Sequence, residues 1–171
     1  MDKLADIATK LWWGGDPDEK NPTSGMSRRD VYNVRKSWTK INADAQGNGF
    51  LMFSRLFEAD PESKTFFSYL SDTNKEQMAR SFTFQAHIVF IMASLNSAVE
   101  NLPQPEIVVS LMTKLGRAHH RQNIRRKHFR VFEEVLMNIL KNDLRLSEDV
   151  VASWTLFVAF MYKHMFTAIT E

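Results

Sequence analysis

The chain has 171 residues, 44% of them hydrophobic, with 13 Phe, 4 Trp, 3 Tyr and no Cys. That length suits one domain with residues to spare, and so aromatic a composition argues against disorder. Without cysteine there is no disulfide scaffold, thiolate metal site, Cys nucleophile or cofactor attached through C-x-x-C-H. With 22 Lys+Arg against 20 Asp+Glu, the charge is too balanced for a nucleic-acid binder, and no nucleic-acid partner is expected.

Leu4, Ile7, Ala8 and Leu11 give residues 1–13 a helical apolar stripe, which Gly14-Gly15-Asp16-Pro17 stops. Residues 14–26 have linker composition. A helix so short is marginal alone, so residues 1–27 are an N-terminal extension whose helix docks loosely, meets a partner or membrane, or stays disordered. Mixed charge (Asp2, Lys3, Asp6, Lys10) makes the membrane contact the weaker of these.

Ser27 and Asp30 form a capping-box signal ahead of Val31, Val34, Trp38 and Ile41. The segment 42–49 is expected to break that helix. A second stripe runs Phe50, Phe53, Leu56, Phe57 and ends at Asp60-Pro61, with Pro61 opening a short turn through Phe66 and Phe67. One long helix is expected over 75–99, with Met78, Phe82, Ile88, Met92, Leu95 and Val99 inward. Pro105 opens another, carrying Val108, Leu111, Met112, Leu115 and His119. After a polar break at 121–126 come helices with Phe129, Phe132, Leu136 and Ile139, and then Trp154, Phe157, Met161 and Met165, the last capped by Ser147. No sustained alternation or repeat is visible. The class is all-α, with seven to eight helices of unequal length.

No apolar run reaches the eighteen or so residues of a membrane span, no signal peptide is visible, and Asp2 excludes N-myristoylation. A soluble cytoplasmic protein is the expectation.

His87 shares a helix face with Ile91, and His119 continues the apolar line of Leu111 and Leu115. Two inward imidazoles among Phe and Ile side chains suit a flat apolar ring whose metal takes axial nitrogen ligands. Each alone also fits an ordinary core histidine. His120, His128 and His164 have surface-like neighbours. Other chemistries find little footing. Gly47-Asn48-Gly49 lacks a following Gly-Lys-Ser/Thr, there is no H-E-x-x-H and no nucleophile elbow, and Glu133-Glu134 suits a solvated face.

Several motifs occur in a characteristic order: Arg35-Lys36-Ser37-Trp38; Phe53-Ser54-Arg55-Leu56-Phe57, then Pro61 and Phe67; His87 about twenty residues on; and Leu115-Gly116-Arg117-Ala118-His119. Over residues 28–171 these resemble the globin family. The stretch from Ala93 to Leu102 is similar to its animal intracellular cytoglobin and neuroglobin branch. The resemblance implies noncovalent haem b with His119 as proximal iron ligand. His87 would be the distal residue, with Phe67 stacked on the haem and Phe53 and Ile91 on the distal side. Leu115, Ile124, Phe129 and Phe132 would line the proximal side.

The implied activity is reversible binding of O2, and of CO and NO, with His87 as a sixth ligand in the ligand-free state or a five-coordinate store instead. Competing roles are a redox, NO-scavenging or sensing globin with NO dioxygenase or nitrite reductase activity and a reductase partner, or a haem-free interaction module. Monomer and homodimer both remain open. The sequence departs from the family at Phe90, where Lys or Arg often pairs with a propionate. The basic stretch holding Arg121, Arg125 and Arg126 would supply that charge or be a solvated corner. The turn from His119 to Ile124 is one residue shorter than in myoglobin.

Overall fold

The computed structural model describes residues 2–169. Met1, and Thr170 and Glu171 at the end of the expected 28–171 domain, lie outside the described residues. Among the described residues eight α-helices follow one another: α1 (Asp2–Trp13), α2 (Arg28–Asn42), α3 (Ala45–Ala59), α4 (Lys75–Arg80), α5 (Phe82–Glu100), α6 (Pro105–Arg121), α7 (Arg126–Asn138) and α8 (Glu148–Phe166). Among the described residues there is no strand, only a single antiparallel bridge between Lys20 and Ser27. The chain is all-α, as its periodicity indicates.

The expected capping box opens α2. Ser27 Oγ accepts from the Asp30 N–H at 3.2 Å, and the Asp30 carboxylate accepts from the Ser27 N–H at 2.8 Å. The helix then lies along α8, with the buried rings of Trp38 and Trp154 6.1 Å apart. Neither indole N–H is stranded. Trp154 donates to Ser37 Oγ at 2.8 Å and Trp38 to Asn96 Oδ1 at 2.9 Å.

Two glycines set the crossings that matter for the site. A Cβ on Gly49 would stand 2.5 Å from Ile88 Cγ2, so glycine lets α3 press against α5. A Cβ on Gly116 would collide with the Met165 carbonyl, so glycine lets α6 press against α8.

The structure differs from the sequence expectation at three helix starts. First, α3 starts at Ala45 rather than after Gly49, because Asp44 Oδ1 caps the Gly47 N–H at 3.0 Å and the α5 contact holds the glycines helical. Second, the helix expected over 75–99 is broken at Ser81, whose ψ of 109° is extended and whose Oγ accepts from the Phe84 N–H at 3.4 Å. The break turns Phe82 outward, where it is 85% exposed rather than core. Third, Ser147 opens α8 without a side-chain cap bond; its carbonyl accepts from the Val151 N–H at 3.0 Å. No unbroken apolar run reaches the length of a membrane span, although α5 contains an 18-residue window of mean hydropathy 1.4, long and apolar enough by length and composition alone. Counting unbroken apolar runs misses it, since Thr83, Gln85, His87, Ser94 and Asn96 interrupt. Its Phe84, Ile88, Met92, Ala98 and Val99 are buried in the core.

Residues 14–27 are docked rather than loose. Asn21 Oδ1 accepts from the N–H groups of Thr23 and Ser24, Arg29 grips Asp18 at 2.8 and 3.0 Å, and the Thr23 hydroxyl donates to Glu106 at 2.9 Å. Met26 is 1% exposed and part of the core. The α1 helix is held at its end, where Trp13 stands edge-on to Tyr32 at 5.3 Å beneath the Arg29 guanidinium. Leu4, Ile7, Leu11 and Trp12 are exposed.

Candidate functional site

A cavity of about 240 Å³ opens where α3, α5, α6, α7, α8 and the 3-10 turn Pro61–Phe66 converge. All nine residues singled out from the sequence line it. Phe53, Phe67, His87 and Ile91 come from α3, the residue closing the turn, and α5. Leu115, His119, Ile124, Phe129 and Phe132 come from α6, α7 and the link between them. Among the described residues no Asp, Glu, Lys or Arg lines it.

His87 is held by ring edges. Its imidazole lies 5.3 Å from Phe53 and 4.9 Å from Phe67, both near perpendicular. Phe53 is the hub of this wall, also meeting Phe84 at 5.5 Å and Phe132 at 6.2 Å. Among the described residues neither nitrogen of His87 has a hydrogen-bond partner. Burial pushes its pKa below the ordinary value, and charge on His119 pushes it the same way.

His119 is held by its backbone. Its Nδ1–H donates to the Leu115 carbonyl at 2.9 Å, one helical turn back, and its ring stands edge-on to Phe129 at 5.1 Å. With Nδ1 committed as donor, Nε2 carries the lone pair. Burial lowers the pKa of this imidazole too, outweighing the Leu115 bond, which raises it. Both imidazoles are therefore neutral at pH 7, the state in which a histidine can ligate a metal.

The remaining polar groups of the wall are occupied. The Tyr162 hydroxyl donates to the Phe129 carbonyl at 3.0 Å, Ser94 to the Phe90 carbonyl, and Ser63 to Asp60. Burial raises the Tyr162 phenol far above its ordinary pKa, so it stays a donor.

Sequence reasoning missed part of the lining. His128, expected at the surface, is half-buried and lines the cavity, its ring 4.8 Å from Phe66. The Arg125 N–H donates to His128 Nδ1 at 2.9 Å, leaving the proton on Nε2. This is the return half of a capping box, with His in the third position, while the His128 N–H goes to the Arg125 carbonyl at 3.1 Å because arginine has no acceptor; the Ser/Thr/Asp rule overlooks it. Val158, Met161 and Met165 of α8 also face the cavity; their i, i+3, i+7 spacing marks a buried stripe without distinguishing cavity from core. His164, also expected at the surface, is half-buried against Phe160 at 5.1 Å.

The basic corner does not line the cavity. Arg125 lies 3.3 Å from His120 Nδ1, Arg126 donates to the Phe166 carbonyl at 3.2 Å and stacks over that ring, and Arg121 is exposed at the end of α6.

Residues 51–165 match the sequence profile of the family described as Globin. Cytoglobin-2 of Danio rerio is 28% identical over 142 residues, 81% of this chain and 79% of its own. Neuroglobin of Dissostichus mawsoni is 31% identical over 120 residues, 70% of this chain and 76% of its own. A Drosophila melanogaster globin superposes with a TM-score of 0.79 at 22% identity, over 85% of this chain and 96% of that one. A hexacoordinated haem protein from an anhydrobiotic tardigrade gives 0.79 at 17% identity, over 89% and 100%.

Proposed function

Because the chain belongs to the globin family, which implies haem, we propose that the cavity holds haem b noncovalently and serves reversible O2 binding. In this reading His119 would be the proximal ligand of the iron, and His87 would hold the iron as well when no other ligand is present. The observation that carries it is the convergence of two neutral imidazoles in one otherwise apolar cavity.

The donor set fits the group. Imidazole suits iron, and the aromatic wall suits a flat apolar ring. His119 makes the backbone bond expected of a ligating histidine, because its Nδ1–H on the Leu115 carbonyl orients Nε2 and makes it more basic. When bound, ferrous haem supplies the capacity to take up O2, CO and NO reversibly.

The chain's own residues do the rest. The uncharged walls exclude water and so slow oxidation of the iron. His87 has two uses for an otherwise unsatisfied ring. Its lone pair can ligate iron, and its N–H can hydrogen-bond the partial negative charge of a diatomic ligand. An imidazole lacking polar partners in an apolar space gains most from the first use, since an unmade bond there costs about 1–3 kcal/mol. Hexa-coordination is stated for the Drosophila melanogaster haemoglobin of the same fold; what supports it in this chain is His87 itself. Phe53 and Phe67 limit its tilt.

The visible spectrum of the deoxygenated ferrous protein tests this. Two resolved bands are expected for the wild type and one broad five-coordinate band for His87→Ala. A broad band unchanged by that substitution removes His87 from the iron. His119→Gly is expected to lose haem on gel filtration; full retention would overturn the proximal assignment.

A further inference from the structure

The α5 helix has a second apolar face, directed outward, and no charge interrupts it. From Phe82 to Val99 it contains no Asp, Glu, Lys or Arg. A surface helix ordinarily turns charged residues to solvent. Here the outward positions are Phe82, Ala86, Val89 and Ala93, with Phe90 on the flank. At 100° per residue the first four fall within a stripe about 60° wide. Phe82 is 85% exposed, Phe90 72% and Val89 56%. Scattered exposed apolar residues are ordinary, but a continuous stripe over three turns marks an interaction surface.

We propose that this face is covered by α5 of a second copy of the chain, packed antiparallel across a two-fold axis. The order of side chains along the stripe is large, small, large, small. An antiparallel copy with its axis midway between Ala86 and Val89 sets Phe82 opposite the partner's Ala93, and Val89 opposite the partner's Ala86. Each large side chain meets a small one, and symmetry repeats both pairings. The two alanines leave room for close approach of the helix axes. A face without charges meets itself with no like-charge opposition, and offers nothing to a partner recognised by charge. The apolar area is on the order of 500 Å² on each copy, so the pair reaches the roughly 1,000 Å² that a specific interface requires. Phe90 also lines the cavity, so interface and cavity share a wall.

This proposal does not rest on the haem reading, because its test reads mass. Sedimentation equilibrium of the full chain, at concentrations on the order of 10–100 μM, is expected to give a dimer. Val89→Glu places two carboxylates beside the axis, and Phe82→Glu removes the knob. Each is expected to weaken association by about 100-fold or more, with helix content by circular dichroism unchanged, since both positions are exposed. A wild-type monomer throughout that range overturns the proposal. So does a dimer that survives both substitutions, or one lost with Leu4→Glu/Leu11→Glu on α1 but not with Val89→Glu. A monomer that floats with phosphatidylcholine–phosphatidylserine vesicles, and ceases to with Val89→Glu, overturns it in favour of a membrane.

Discussion

Gly116 stands three residues before His119 and directly against the Met165 carbonyl, so the position of one imidazole depends on a missing methyl group. A backbone oxygen cannot swing aside as a flexible side chain can. Gly116→Ala is therefore expected to cost about 1–3 kcal/mol through overpacking and to speed haem loss as α6 rides off α8. Thermal unfolding and haem transfer to an acceptor protein measure the two effects, and a variant equal to wild type in both would show slack at that crossing. Gly49 plays the matching part under α5. A glycine looks the same in sequence whether it turns the chain or admits a neighbour, which is why Gly49 read as a helix breaker. His87 and His119 were legible because both stand in line with apolar side chains on their helices; His128 was not, because its neighbours are basic. A separate residue, Asp30, accepts from the Ser27 N–H and Oγ, Lys20 and Ser153. Partial burial alone would raise its pKa, but those bonds outweigh burial and hold it at about 2 against an ordinary 3.8. A depressed carboxyl stabilises the fold above its unfolded value and ceases to as pH falls through the folded one. Asp30→Asn is expected to cost about 1 kcal/mol at pH 7 and to flatten the stability profile between about pH 4 and 2. Urea unfolding across that range checks it.

Among the elements, the ends of helices were less legible than their faces. The α2 start was readable because both partners of its capping box lie within four residues. The α4–α5 break was not, although Ser81 is a good cap, since Ser inside a helical pattern is also tolerated. What decided it is the pull of Phe84, Ile88 and Met92 into the core, which resets the phase of α5 and leaves Phe82 outside. The segment before α2 divides in the same way between local and tertiary control. Its linker composition is real, yet Met26 is in the core and Ser27 caps α2. Removing residues 1–13 forfeits the Trp13 contacts with Tyr32 and Arg29 and the bonds from the Gly14 and Gly15 N–H groups to the end of α1, and is expected to cost about 1 kcal/mol. Removing residues 1–27 also takes away Met26 and the cap, and is expected to cost about 3 kcal/mol or more. Melting temperatures of the two truncated chains separate these cases; equal losses would mean that α1 is held more firmly than its exposure indicates.

At the scale of the molecule, the cavity is a property of assembly. Each wall reads as ordinary core along its own helix, and only the meeting of α3, α5, α6, α7 and α8 leaves space between Phe53, Phe132 and Met161. The nine residues named in advance were found through motif order, whereas Val158, Met161 and Met165 had no signal to set them apart from the α8 core stripe. The same assembly sorts the aromatic rings by depth, and the four tryptophans most plainly of all. Trp38 and Trp154 are buried between α2 and α8, within the body that encloses the cavity, while Trp12 is 85% exposed on α1 and Trp13 is tucked under Arg29. The fluorescence of the haem-free chain is thus expected to have two sources, an apolar pair emitting toward the blue and a solvated end emitting toward the red. Light from one end reports the state of α1, and light from the other the state of the body, without any label being added.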